Sequence, residues 1–89
     1  MQVSAELSMY PLQADYKDLI VAFVHRLREQ PGIELRTNQL STQVTGEYAA
    51  VMDALRHAIE QSFATEVPMS IVVKLLNIGI NPNDTREVV

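Results

Sequence analysis

Apolar and polar side chains alternate from residue 2 to residue 10, with Val3, Ala5, Leu7 and Met9 on one side and Ser4, Glu6, Ser8 and Tyr10 on the other. A period of two with one apolar face predicts a half-buried strand. Pro11 cannot donate to a ladder and ends it. Asp15 stands where a helix N-cap is expected, and the period then changes to 3.6. Tyr16, Leu19, Ile20, Phe23, Val24 and Leu27 form an apolar stripe, while Lys17, Asp18, Arg26, Arg28 and Glu29 fall on the wet side. Pro31-Gly32 stops this helix. Alternation resumes from Ile33 to Thr37, turns near Asn38-Gln39, and runs on from Leu40 to Thr45 until Gly46 closes it, which predicts a hairpin. A second helix is predicted from about Glu47 to Phe63, burying Tyr48, Val51, Met52, Leu55, Ala58, Ile59 and Phe63. Val67 to Leu76 is rich in β-branched residues and reads as a last strand, with Pro68 placing its start on a sheet edge.

The order β-α-β-β-α-β predicts an α+β fold: two helices on one face of a four-stranded antiparallel sheet, the ferredoxin-like sandwich. Right-handed crossovers give the strand order 4-1-3-2. One domain over residues 1–76 is expected, followed by a polar tail over 77–89 in which Asn81-Pro82-Asn83-Asp84 reads as a turn or loose end.

Composition narrows the function classes. At 89 residues the chain buries only about two-thirds of its unfolded surface, and with no Cys it has no disulfide to compensate. Self-association is the expected extra source of burial. The net charge of -4 argues against nucleic acid or an anionic membrane as main partner and mildly favours a cationic ligand. No signal-like start and no apolar run of transmembrane length occurs, so no membrane insertion is expected and the cytoplasm is the default location.

The catalytic signatures are missing: no Cys nucleophile, no G-x-S-x-G elbow, no Gly-rich phosphate loop. His25 and His57 fall on different helices, which offers no convergent metal site. RNA-binding modules of this fold stack bases on aromatics of the two central strands. Here the first strand offers only the terminal Tyr10 and the third offers none, so neither a metal, a catalytic role nor nucleic acid is expected.

What the topology does gather is polar. The end of the first strand, the start of the first helix, the end of the second strand and the start of the third meet at one pole, bringing together Ser8, Tyr10, Tyr16, Thr37, Asn38, Ser41 and Thr42. Thr37 and Thr42 fall on the inward phase, where a hydroxyl costs free energy unless it finds a partner. A local carbonyl is one such partner and a ligand is the other. Asp53 sits at the margin of the second helix's stripe, either as a partly buried carboxylate wanting a cation or as a surface aspartate beside Arg56. Glu6 points outward from a central strand on a face shared with Ser4, Ser8, Ser41, Gln43 and Thr45, a face either solvated or pressed on another subunit.

The segments Leu7-Ser8-Met9-Tyr10-Pro11-Leu12, Asp15-Tyr16, Thr37-Asn38-Gln39-Leu40-Ser41-Thr42 with Gly46, and Val51-Met52-Asp53-Ala54-Leu55 resemble the YkoF-type thiamine-binding family over residues 3 to about 76. The resemblance implies a single-domain member that binds thiamine or its hydroxymethylpyrimidine moiety, in salvage or transport, without catalysis or a cofactor. It implies Ser8, Tyr10, Tyr16, Thr37, Ser41, Thr42 and Asp53 as ligand-binding residues, with Asp53 taking the ligand's amine or balancing its charge. It also implies a homodimer reproducing the tandem unit of two-domain relatives, or a tetramer doubling it. Asn38 departs from an acidic form of this turn in relatives, and where that acid contacts ligand, Asn38 would weaken or retune binding. The competing expectation is a regulatory or assembly module that works through its sheet without a small-molecule ligand.

Overall fold

The computed structural model describes residues 1–81 and Asp84. Its elements are β1 (Gln2–Pro11), α1 (Lys17–Arg28), β2 (Ile33–Thr37), β3 (Thr42–Glu47), α2 (Tyr48–Phe63) and β4 (Met69–Leu76). All pairings are antiparallel and the sheet order is β2-β3-β1-β4, which is the expected ferredoxin-like α+β topology.

The register explains the core. Val3, Ala5, Leu7 and Met9 face the helices, with Val44 across from Ala5 and Thr42 across from Leu7. Phe23 and Leu27 from α1, and Val51, Ala54, Leu55 and Ala58 from α2, close on them. Between the helices Arg26 is half-buried and its Nη1 donates to Ser62 Oγ (3.2 Å), which itself donates to the Ala58 carbonyl (2.8 Å). The sequence pattern had placed Arg26 in water; its head instead finds a partner on α2.

Several boundaries differ from the pattern for local reasons. Tyr16, not Asp15, is the N-cap of α1, and no side chain caps it. Asp15 is drawn into the preceding loop, where its carbonyl accepts from Gln13 Nε2 (2.8 Å). β3 starts at Thr42 instead of Leu40, because the amides of Leu40 and Ser41 bond the Asn38 side chain and not a neighbouring strand. Gly46 lies inside β3, paired with Val3 on one side and Ile33 on the other. β4 starts at Met69, and the Pro68 carbonyl accepts from Leu12 N (2.8 Å). Tyr16, Tyr48 and Phe63, expected on buried stripes, are about half exposed at the helix ends, where the sheet no longer lies beneath them.

The start of the tail is attached. Ser4, read as outward-facing, is buried because Asn77–Ile80 folds back across that face: Ser4 Oγ donates to the Ile78 carbonyl (2.8 Å) and accepts from Ile80 N (3.0 Å). Of the turn expected at 81–84, Pro82 and Asn83 lie outside the described residues. At the pole opposite the hydroxyl cluster, Glu47 accepts from the Met1 amine and Gln2 Nε2, and those bonds hold its carboxyl below the usual range.

Gly46 is the tightest point of the sheet: a Cβ there would sit 2.6 Å from the Gly32 carbonyl oxygen, a contact with backbone that no rotamer relieves. Gly46→Ala is expected to destabilise the fold by about 1–3 kcal/mol, as overpacking does, which urea denaturation would read as a lower midpoint with an unchanged slope.

Candidate functional site

The pole where β1 ends and β3 begins carries a cleft of about 410 Å³, walled by Leu7, Met9, Ile20, Phe23 and Val24 and rimmed by polar side chains. That volume lies within the ordinary range of small-molecule sites. Of the seven residues implied by the sequence, Ser8, Tyr10, Tyr16, Thr37, Ser41 and Thr42 all line it.

Each is placed by a different element. Thr42, buried at the start of β3, and Thr37, at the end of β2, are register partners whose hydroxyls lie 3.0 Å apart. Either oxygen can donate to the other. The pair therefore keeps one O–H free to donate and lone pairs free to accept, so it can meet a ligand acceptor or a ligand donor. Tyr10 is the penultimate residue of β1 and Tyr16 precedes α1; both line the cleft and are about half exposed. The Ser41 hydroxyl is already engaged: it donates to Glu6 Oε2 (3.1 Å) and accepts from Gln43 Nε2 (3.3 Å). Glu6 is also 3.5 Å from Lys74 Nζ, so the outward acid sits in a polar chain that fixes Ser41 from behind.

Asp53 is not brought in. It is exposed on α2 and does not line the cleft, so the partly buried carboxylate considered from the sequence is not there. The reason is topological. α2 runs back from the far pole, where it follows Glu47, and Asp53 lies in its first half.

The sequence reading had named Asn38 in the cluster and, through the resemblance, as a position that would weaken or retune binding, without giving it a structural role. Its Oδ1 accepts from Leu40 N (2.9 Å) and Ser41 N (3.1 Å), and its backbone N–H donates to the Ser41 carbonyl (3.1 Å). This is an Asx-type closure of the β2–β3 turn. It holds Leu40 out in solvent, 89% exposed, at the lip. The Asn38-Gln39 pair between two alternating runs was the available signal.

His25 and His57 are both exposed, and His57 Nε2 lies 3.3 Å from Arg56 Nη2. Among the described residues no three His, Cys, Asp or Glu side chains gather to hold a metal, and no helix is long and apolar enough to cross a membrane.

Asn38→Ala removes both accepted bonds of the turn and is expected to cost about 1 kcal/mol, lowering Tm by about 4–8 °C. Asn38→Asp keeps Oδ1 and should melt within a degree or two of the parent; thermal denaturation of the two variants side by side checks the assignment.

Known structures share this architecture. A Thermotoga maritima protein described provisionally as a thiamine biosynthesis/salvage protein is 15% identical with a TM-score of 0.77, over 92% of this chain and 91% of that one. A Streptococcus pneumoniae protein is 25% identical with a TM-score of 0.76, over 90% and 89%. A Methanocaldococcus jannascii protein is 18% identical with a TM-score of 0.75, over 94% and 88%. No curated protein matches the chain. The model of the YKOF-related family matches residues 2–82, nearly the whole sequence, and the chain belongs to that family.

Proposed function

We propose that this protein binds thiamine or its hydroxymethylpyrimidine moiety, without transforming it, as a cytoplasmic component of vitamin salvage or transport. The observation that carries the reading is the cleft itself. A domain this small has little apolar surface to spare, yet it leaves an apolar hollow open at one pole and sets a hydroxyl pair in its wall. A flat ring with nitrogen acceptors and an exocyclic amine suits that wall: the ring packs on Phe23 and Met9, and the Thr37–Thr42 pair meets its edge. Membership of the YKOF-related family and the description of the Thermotoga relative point the same way.

Isothermal calorimetry with thiamine and with hydroxymethylpyrimidine tests this. Heats no larger than dilution at millimolar ligand would remove the reading. Thr42→Val is expected to weaken binding about 3–10-fold, the worth of one neutral hydrogen bond, while Asp53→Ala leaves affinity unchanged.

We further propose that the chain works as a homodimer, alone or doubled to a tetramer, through β4. Val73 and Leu75 on the helix side and Val72 and Leu76 on the other are 38–54% exposed, so this edge strand is uncovered on both faces. Beside it Val3, Tyr48 and Leu75 line a hollow of about 200 Å³. Long apolar edges are a pairing hazard for a monomer and a ready seam for a second copy. The same seam supports the assembly-module reading, since it would also accept a different protein. Sedimentation at micromolar concentration is expected to give a dimer or tetramer that Val73→Lys shifts toward monomer; a well-folded parent monomer would contradict the proposal.

A further inference from the structure

Not one of the residues lining the cleft carries a charge at neutral pH, although the chain as a whole is acidic. We propose that the cleft selects an uncharged, flat nitrogen heteroaromatic over a cationic one, and that Asn38 is the position that sets this preference. The inference rests on the small-molecule reading above and specifies its ligand class.

The nearest acids are spoken for or remote from the hollow. Glu6 lies behind Ser41 and is bonded to its hydroxyl and near Lys74 Nζ. Asp15 and Asp18 flank Tyr16 at exposed positions and do not line the cleft, and solvent and salt screen their field. Asp53, the acid that would have balanced a bound cation, lies exposed on α2 outside the cleft. A cation entering this hollow would therefore lose water without meeting a counter-charge. The half-exposed rings of Tyr10 and Tyr16 return only part of that loss as cation–π partners at such exposure. The balance favours a neutral ring inside, with any positive substituent left in the open mouth.

Asn38 is where that balance can be reversed. Asn38 lines the cleft with its Oδ1 committed to the amides of Leu40 and Ser41, so the polar group of its side chain left for a ligand is Nδ2, a pure donor. A donor there suits a ring nitrogen or carbonyl and repels an ammonium or an amine. Asn38→Asp keeps the Oδ1 closure of the turn and replaces the donor by a second carboxylate oxygen. The exchange brings one negative charge to the rim with no change of shape.

The test is calorimetry of hydroxymethylpyrimidine and thiamine, each at 20 and about 300 mM salt, on the parent and on Asn38→Asp, with a thermal melt to confirm that the variant is folded. The parent is expected to bind the neutral pyrimidine at least as tightly as thiamine, with affinities that move less than about twofold with salt. The variant is expected to favour thiamine by about tenfold relative to the parent, and to lose that gain in high salt. A parent that binds thiamine about tenfold more tightly than the pyrimidine, with a salt dependence of its own, overturns the charge selection and leaves the binding reading standing. A variant that melts like the parent but shows no gain for thiamine overturns the role of Asn38. If the parent binds neither compound, both this inference and the binding reading fail.

Discussion

The hydroxyls of Thr37 and Thr42 lie 3.0 Å apart on the helix-facing side of the sheet, in a layer whose other members are aliphatic. The rest of the site depends on that pair. Across from Thr42 stands Leu7, and the next layer inward is Ala5 against Val44, both buried in the core. One step toward the pole the strands offer hydroxyls, which satisfy each other and so remain inside without the free-energy cost of an orphaned polar group. Because α1 begins only at Lys17, with Tyr16 half exposed, no helical turn covers the end of β1. The hollow is what remains between a late-starting helix and a sheet edge finished in threonine.

A second constraint keeps the hollow open. The β2–β3 turn is closed by the Asn38 side chain, and the Ser41 hydroxyl is pinned through Glu6, which in turn lies beside Lys74 of β4. The wall of the cleft is thus braced from the opposite face of the sheet by a chain of polar contacts across β3, β1 and β4. Such a brace spends its charges on the outer face. The inner wall is left neutral, and the wall's hydrogen-bonding groups are those of hydroxyls and amides.

The fold was largely legible in the sequence because its signals are periodic. The alternation of Val3 to Met9 and the stripe from Leu19 to Leu27 need no knowledge of partners, and the register carries them into one core. The errors fall where a single local bond outweighs a pattern: Asn38 capturing two amides delays β3, and the Asp15 carbonyl accepting from Gln13 keeps Asp15 in the loop, with Tyr16 as the N-cap of α1. Ser4 was unreadable for another reason. Its burial comes from Ile78 and Ile80, more than seventy positions away, and an outward serine gives no hint of a strap. At the site, six residues could be placed from strand ends and topology alone. Asp53 could not, since helical phase says which face a residue takes but not how far along the helix the cleft lies. The neutrality of the wall was equally hidden, because it depends on where each acid is held.

The central claim is that a flat nitrogen heteroaromatic enters between the Thr37–Thr42 pair and Phe23. Titration of the labelled protein with hydroxymethylpyrimidine, followed by amide chemical shifts, examines it most directly. The account predicts saturable shifts concentrated at Leu7–Pro11, Tyr16–Ile20 and Thr37–Thr42, with α2 around Asp53 unmoved. Shifts confined to β4 and Asn77–Ile80, or none at millimolar ligand, would contradict it.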